Sequence, residues 1–216
     1  MVRFVSFIAL MMVVSSFFFE GLLADCNNQS ACYLMDRIPA SNCRYSSFVF
    51  ALNLMKERQA VTLIETGTAR NGATNCIGDG CSTVIFADWI RDHGAYLYSI
   101  DVDPQALHGA QEGVSGSHDS IEFVCSDSIT FLKNFNRPID FLYLDSYDFE
   151  ISNPGPSQQH HLQEIMAAYS CLHSKSIVMI DDCDLPHGGK GKFVIEFLLR
   201  RGWKIIYKNY QVILVQ

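Results

Sequence analysis

Six carboxylates sit where strand-like runs end. Glu65 closes VTLIE, Asp101 closes YSID, Asp127 follows IEFVCS, Asp145 closes FLYLD, and Asp181 with Asp182 closes VMIDD. One such acid alone reads as a turn residue or helix cap. Five strand ends in succession read differently, because ligands of open α/β sheets bind outside the carboxyl ends of the strands. Carboxylates gathered there can accept hydrogen bonds from the hydroxyls and amines of a ligand, or hold a hard cation between them.

The loop after Glu65 narrows the ligand. The stretch VTLIETGTARNGATNCIGDGCSTVIFADW spends Gly67, Gly72, Gly78 and Gly80 before an apolar helix starts near Thr83. A dinucleotide fingerprint, G-x-G-x-x-G, fails in GDGCST, where Thr83 stands at the helix-packing glycine. HGGKGK near residue 190 lacks both the spacing of a phosphate loop and the Ser or Thr after its Lys. What remains is a glycine loop between two carboxylates, Glu65 and Asp101, suited to a ligand with a ribose diol and an amino group but no essential phosphate.

Elements that could position these residues follow from periodicity. In SNCRYSSFVFALNLMKERQ, Phe48, Ala51, Leu52 and Met55 share one helical face, which predicts a lead-in helix. The short runs TLIE, YLYSID, IEFVC, DFLYLD and SIVMIDD then alternate with helix-like ADWIRDH, PQALHGAQEG, SITFLKNF and QHHLQEIMAAYSCL, which predicts a parallel sheet with helices on both faces. The strands read as nearly continuous apolar runs, as burial on both faces requires. After the helix GKFVIEFLLRR and Gly202, WKIIYK and QVILVQ are separated only by Asn209 and Tyr210, too short for a crossover, so they should pair as an antiparallel hairpin. At 216 residues and 49% hydrophobic, the chain can bury one ordinary core, so a single main domain is expected over residues 61–216, preceded by a cysteine-containing segment with the lead-in helix over 25–60.

From Val61 to Gln216 the chain resembles the class I S-adenosylmethionine-dependent methyltransferases. IETG with GDGCST resembles their first motif with an insertion, SIDVDP their ribose-binding acidic motif, CSDS their adenine-side motif and DFLYLDSYD their fourth. The resemblance implies a Rossmann-like, doubly wound α/β sheet, mostly parallel, with a C-terminal antiparallel hairpin. It implies that S-adenosylmethionine is held by Glu65, Gly67, Thr68, Gly78, Gly80 and Ser82, with Asp101 on the ribose hydroxyls and Asp127 near the adenine amino group. Within that class, LDSYD followed by IDDC resembles the metal-dependent O-methyltransferases of the catechol and macrolide-sugar type. There Asp145, Asp181 and Asp182 would hold Mg²⁺ (or Mn²⁺), which lowers the pKa of an acceptor hydroxyl on a small-molecule substrate and fixes its oxygen in line with the methyl group. The simpler reading of Asp182 is a cap for the following loop.

One departure concerns the general base. DSYD lacks the Lys expected after Asp145, so His160 and His161 in NPGPSQQHHLQE become candidates beside Asp145, with His187 in LPHGGKGK a weaker one. For each of the paired histidines, a polar residue opening a helix is the competing reading.

Charge and cysteines bound the setting. A net charge of −7, from 16 Lys plus Arg against 23 Asp plus Glu, offers no footprint for a nucleic-acid backbone. Arg3 followed by FVSFIALMMVVSSFFF and GLLA reads as a secretory signal cut at about Ala24; the alternative is an uncleaved membrane tether through residues 1–24, although the run is short of the ~20 residues a spanning helix needs. Export is therefore expected, with anchored or cytoplasmic placement as alternatives. Eight Cys permit disulfides, Cys125 and Cys171 read as small buried hydrophobes, and a zinc site from Cys76, Cys81, Cys183 and His187 lacks paired ligand spacing. A cytosolic methyl donor conflicts with export, which leaves a metal-dependent tailoring enzyme of hydroxylase type, a non-catalytic exported binding protein and a nicotinamide oxidoreductase as other classes; Thr83 and the terminal hairpin argue against the last.

Overall fold

A computed structural model describes residues 29–116 and 119–216. The leader expected over residues 1–24, its expected cut at about Ala24 and Cys26 lie outside these residues. Among the described residues no helix is long and apolar enough to cross a membrane.

Seven strands form one sheet: β1 (Thr62–Thr66), β2 (Tyr96–Asp101), β3 (Ile121–Cys125), β4 (Ile139–Leu144), β5 (Leu172–Ile180), β6 (Lys204–Lys208) and β7 (Val212–Val215). Their order is β3-β2-β1-β4-β5-β7-β6. The first five are parallel, and β7 runs antiparallel to both β5 and β6. The chain builds outward from β1 to β3 and then returns to the other side of β1. The crevice between β1 and β4 is therefore the switch point at which such sheets bind ligands.

Side-chain alternation along the central strands supplies two cores. Leu63, Phe141, Tyr143 and Met179 point to one face, against α1 (Tyr45–Arg58) and α3 (Ser82–His93). Ile64, Leu142, Leu144 and Val178 point to the other, against α5 (Ser128–Asn134), α6 (Gly155–Ala168) and α7 (Lys192–Leu199). The lead-in helix α1 behaves as its periodicity predicts: Phe48, Ala51, Leu52 and Met55 are all fully buried. Burying each of its large apolar side chains contributes about 1.5 to 3 kcal/mol.

Continuous burial holds only in the middle of the sheet. Strand β3 is an edge, with Glu122 and Cys125 exposed, and β6 is the other edge, alternating half-buried Ile205 and Tyr207 with exposed neighbours. Cys125 is thus not the buried small hydrophobe its strand context suggests, and Cys171 is only partly buried. Two further helices complete the fold, the single turn α2 (Cys76–Asp79), which periodicity does not reveal, and α4 (Pro104–Gly113).

Candidate active site

A cleft opens at the carboxyl ends of β1 to β4. Gly67, Ile100, Asp101 and Val102 line one side; Ser126, Asp127 and Ser128 close its far end, and Ser146, Tyr147 and His160 form the opposite wall. Gly67 makes the crevice possible. It has φ +79°, and a Cβ on it would stand 2.5 Å from the backbone oxygen of Asp145, so only glycine lets β1 and β4 end this close together. Asp101 accepts the backbone N–H of Thr68 at 3.2 Å and of Asp103 at 2.9 Å, which fixes its carboxylate at the cleft edge. Asp127 caps α5, accepting the N–H and hydroxyl of Thr130 on a single oxygen, and lines the cleft as well. The cap uses Oδ1 alone, and the carboxylate has a second oxygen.

Glu65 lies fully buried beneath this cleft. Ser99 donates to its Oε1 at 2.6 Å, while Oε2 finds no donor, although the Ser82 and Thr83 hydroxyls are near enough to ease its charge. Burial pushes its carboxyl up to about 7, against those hydroxyls. Thr83, the residue that spoils the dinucleotide fingerprint, ties the loop after β1 to the start of α3. Its hydroxyl accepts the Ala69 N–H at 2.8 Å and meets the Thr68 hydroxyl at 3.1 Å. Gly78 and Gly80, expected at the ligand, face elsewhere. The Gly78 carbonyl accepts from Arg44, and a Cβ on Gly80 would meet the Arg44 side chain. Of the glycines after Glu65 in ETGTARNG, Gly67 lines the cleft and Gly72 lets the loop pack on the backbone of α4.

Asp145, Asp181 and Asp182 do converge, with one oxygen from each within 4.8 Å of the others. They are not left to repel one another. Lys190 places its ammonium 2.5 Å from Asp145 and 3.1 Å from Asp182, and Arg44 grips both oxygens of Asp181 through Nε and Nη2 at 2.9 to 3.2 Å. Arg44 also stacks over the ring of Tyr210, whose hydroxyl donates to Asp182. Burial works against the Lys190 charge, but the three carboxylates outweigh it and hold the ammonium protonated. Burial pushes Asp145 well above the usual carboxylate range despite Lys190, whereas Lys190 and Tyr210 hold Asp182 below it against its own burial. So arranged, these residues do not fit a divalent ion: its place between Asp145 and Asp182 holds a lysine ammonium. Asp182 is also more than a cap, since its carbonyl and carboxylate both engage the Lys190 segment.

The structure separates the two histidines expected as bases. His160 lines the cleft, with Ser128 Oγ at 3.1 Å and the Glu164 carboxylate at 3.4 Å. Burial opposes its charge, but Glu164 raises its pKa, so it is more readily protonated than a free imidazole. His161 is fully buried, its Nδ1 2.7 Å from the Ser157 carbonyl, and burial lowers its pKa to about 4. It is a neutral packing residue. His187 sits at φ +61° in the loop before Lys190, its carbonyl held by Gln158. The conjectured zinc site fails outright, because Cys76 and Cys81 are joined in a disulfide across α2.

Two residues of the cluster escape sequence reasoning. Arg44 precedes the lead-in helix, far from every strand end, and Lys190 lies in a glycine-rich stretch whose only motif test, the phosphate loop, is negative. A signal for Lys190 does exist: a lone Lys among glycines, just after an Asp pair that needs neutralising.

Comparisons with known proteins agree with this geometry. No curated protein sequence matches the chain. Among solved structures, a proposed rRNA methylase from Clostridium thermocellum superposes with TM-score 0.51 at 13% identity, over 76% of this chain and 94% of that one. The O-methyltransferase NovP gives 0.53 at 11%, over 78% and 81%, and a methyltransferase of Podospora anserina in its SAH-bound form gives 0.52 at 12%, over 77% and 76%. Identities this low speak for the fold, which is the Rossmann-like methyltransferase sheet with its antiparallel C-terminal pair. The family described as a methyltransferase domain matches residues 76–183, half of the chain and the span that carries the Asp101, Asp127, Asp145 and Asp181 strand ends. With a switch-point cleft and acidic strand ends of the kind S-adenosylmethionine requires, the protein belongs to that methyltransferase family.

Proposed function

We propose that the protein methylates a hydroxyl oxygen of a small acceptor, a sugar or polyol, using S-adenosylmethionine. The observation that carries this reading is the pair of sites meeting at Gly67: a cleft suited to a nucleoside with an amino-acid tail, and beside it a buried acid–cation cluster. The cleft fits the donor. Asp101 offers a carboxylate to a ribose diol, the unpartnered Oε2 of Glu65 offers one to an ammonium, and the missing side chain of Gly67 leaves room beside the Asp145 backbone. Once bound, the donor supplies an electrophilic methyl group: the C–O bond forms as the S–C bond breaks, the electron pair stays on sulfur and the hydroxyl proton leaves. Asp145, raised in pKa by burial, is assigned to take that proton, in place of His160 and His161. The divalent ion has no part in this reading, since Lys190 and Arg44 already neutralise the carboxylates. The net charge of −7 speaks against an RNA acceptor. The Cys76–Cys81 disulfide favours an oxidising compartment, in keeping with export.

The test is methyl transfer from labelled S-adenosylmethionine to a panel of sugars, polyols and catechols, with an rRNA fragment in parallel. The expected result is a methyl ether on a hydroxylated small molecule and no label on the RNA. Label on the RNA, or on nitrogen, would contradict the proposal.

A further inference from the structure

We infer that Lys190 is the resident cation of the acidic cluster, standing where a divalent metal would otherwise sit, so that the site works without metal. Part of this stands on position alone, and part, the contact with an acceptor oxygen, rests on the methyl-transfer reading above.

The placement of Lys190 is built into the backbone. Asp182 takes a left-handed conformation, φ +51°, and its carbonyl accepts the Lys190 N–H at 3.1 Å. Gly189, also left-handed, packs so closely on that carbonyl that any Cβ would collide with it. From the other side the buried Gln158 of α6 donates to the carbonyls of His187 at 3.1 Å and Gly189 at 3.0 Å. The loop is clamped at both ends, and the lysine it delivers is 2% exposed.

Chemistry and charge agree with geometry. A divalent ion of the Mg²⁺ type needs oxygens at about 2.0 to 2.1 Å in near-octahedral array. Its position between Asp145 and Asp182 coincides with the Nζ that lies 2.5 and 3.1 Å from them. Asp181, the third ligand, has both oxygens engaged by Arg44. Lys190 and Arg44 offset the charge of the carboxylates, so the cluster holds little electrostatic demand for two more positive charges. An ammonium has three N–H groups; two are spent on Asp145 and Asp182, and the third is free for an acceptor oxygen arriving past those partly exposed carboxylates.

Melting of chelator-stripped protein, with and without Mn²⁺ or Mg²⁺, decides the matter. The parent should show no shift. Lys190→Ala frees Asp145 and Asp182 and should acquire a metal-dependent rise, roughly 5 to 11 °C at about 100 times Kd for a domain of this size. Adding Asp182→Asn to that variant should remove the rise, which separates the cluster from adventitious surface acids. If Lys190→Ala does not fold, Lys190→Met keeps the stem and serves the same purpose. A rise in the parent overturns the inference, and so does a lysine-free variant that folds but ignores metal, because the cluster would then be no ion site at all. Calorimetry with S-adenosylhomocysteine on the same samples keeps the two readings apart: its failure in the parent would strike the donor site, while the metal response still judges Lys190.

Discussion

Glu65, two residues before the Gly67 that lines the cleft, is a carboxylate far from its ordinary state. Its carboxyl is fully buried and titrates near 7 rather than 4.5. Between those values the folded protein holds a proton that the unfolded chain has released, so stability contributed by protonated Glu65 is complete below about pH 4.5 and lost as pH rises through about 7. The full loss corresponds to about 3 kcal/mol at 1.36 kcal/mol per pKa unit. Glu65→Gln should therefore gain stability relative to the parent as pH increases from 5 to 8, by a margin of that order in urea melts. A difference that stays flat with pH would mean that the carboxyl is solvated and titrates normally. Its position at a strand end was legible in the sequence, as were those of Asp101, Asp127, Asp145, Asp181 and Asp182, because strand ends are local features and each acid sits at or beside one. Arg44 and Lys190 were not, because their positions depend on how α1 packs and how the 181–190 loop doubles back, neither of which leaves a periodic trace.

At the scale of elements, α1 carries more than its apolar face. It brings Arg44 to a site 137 residues away in sequence and joins the lead-in segment to the C-terminal hairpin through the hydrogen bond of Ser47 to Gln211 on the β6–β7 turn. The lead-in segment therefore completes the acid–cation cluster. Arg44→Ala leaves Asp181, fully buried, without its guanidinium. Uncompensated buried charges of this kind cost about 3 to 5 kcal/mol. Equilibrium denaturation should show a loss of that size, partly restored by adding Asp181→Asn. A loss under ~1 kcal/mol would place the pair among exposed salt bridges of little consequence. The helices and strands themselves were readable from alternation, since their buried faces repeat at fixed periods. The edge character of β3 and β6 was not, because strand order is set by contacts between distant segments; nor was α2, whose four residues are too few for a period and are held by the Cys76–Cys81 disulfide.

For the whole molecule, the central claim is that a seven-stranded sheet with a switch point at Gly67 binds S-adenosylmethionine with its ribose on Asp101. The topology was legible because five strand–helix alternations followed by a tight turn admit few arrangements. That Gly78 and Gly80 of the GDG triplet lie beside Arg44 was not legible, because the packing of α1 against this loop leaves no local pattern. Isothermal calorimetry with S-adenosylmethionine or S-adenosylhomocysteine is the most direct test. The parent should bind, and Asp101→Ala should weaken binding by ~1.5 to 3 kcal/mol, the worth of a hydrogen bond to a charged acceptor, roughly a 10- to 150-fold rise in Kd. No heat with either ligand alongside clear binding of NAD, or an Asp101→Ala variant that binds as the parent does, would contradict the central claim.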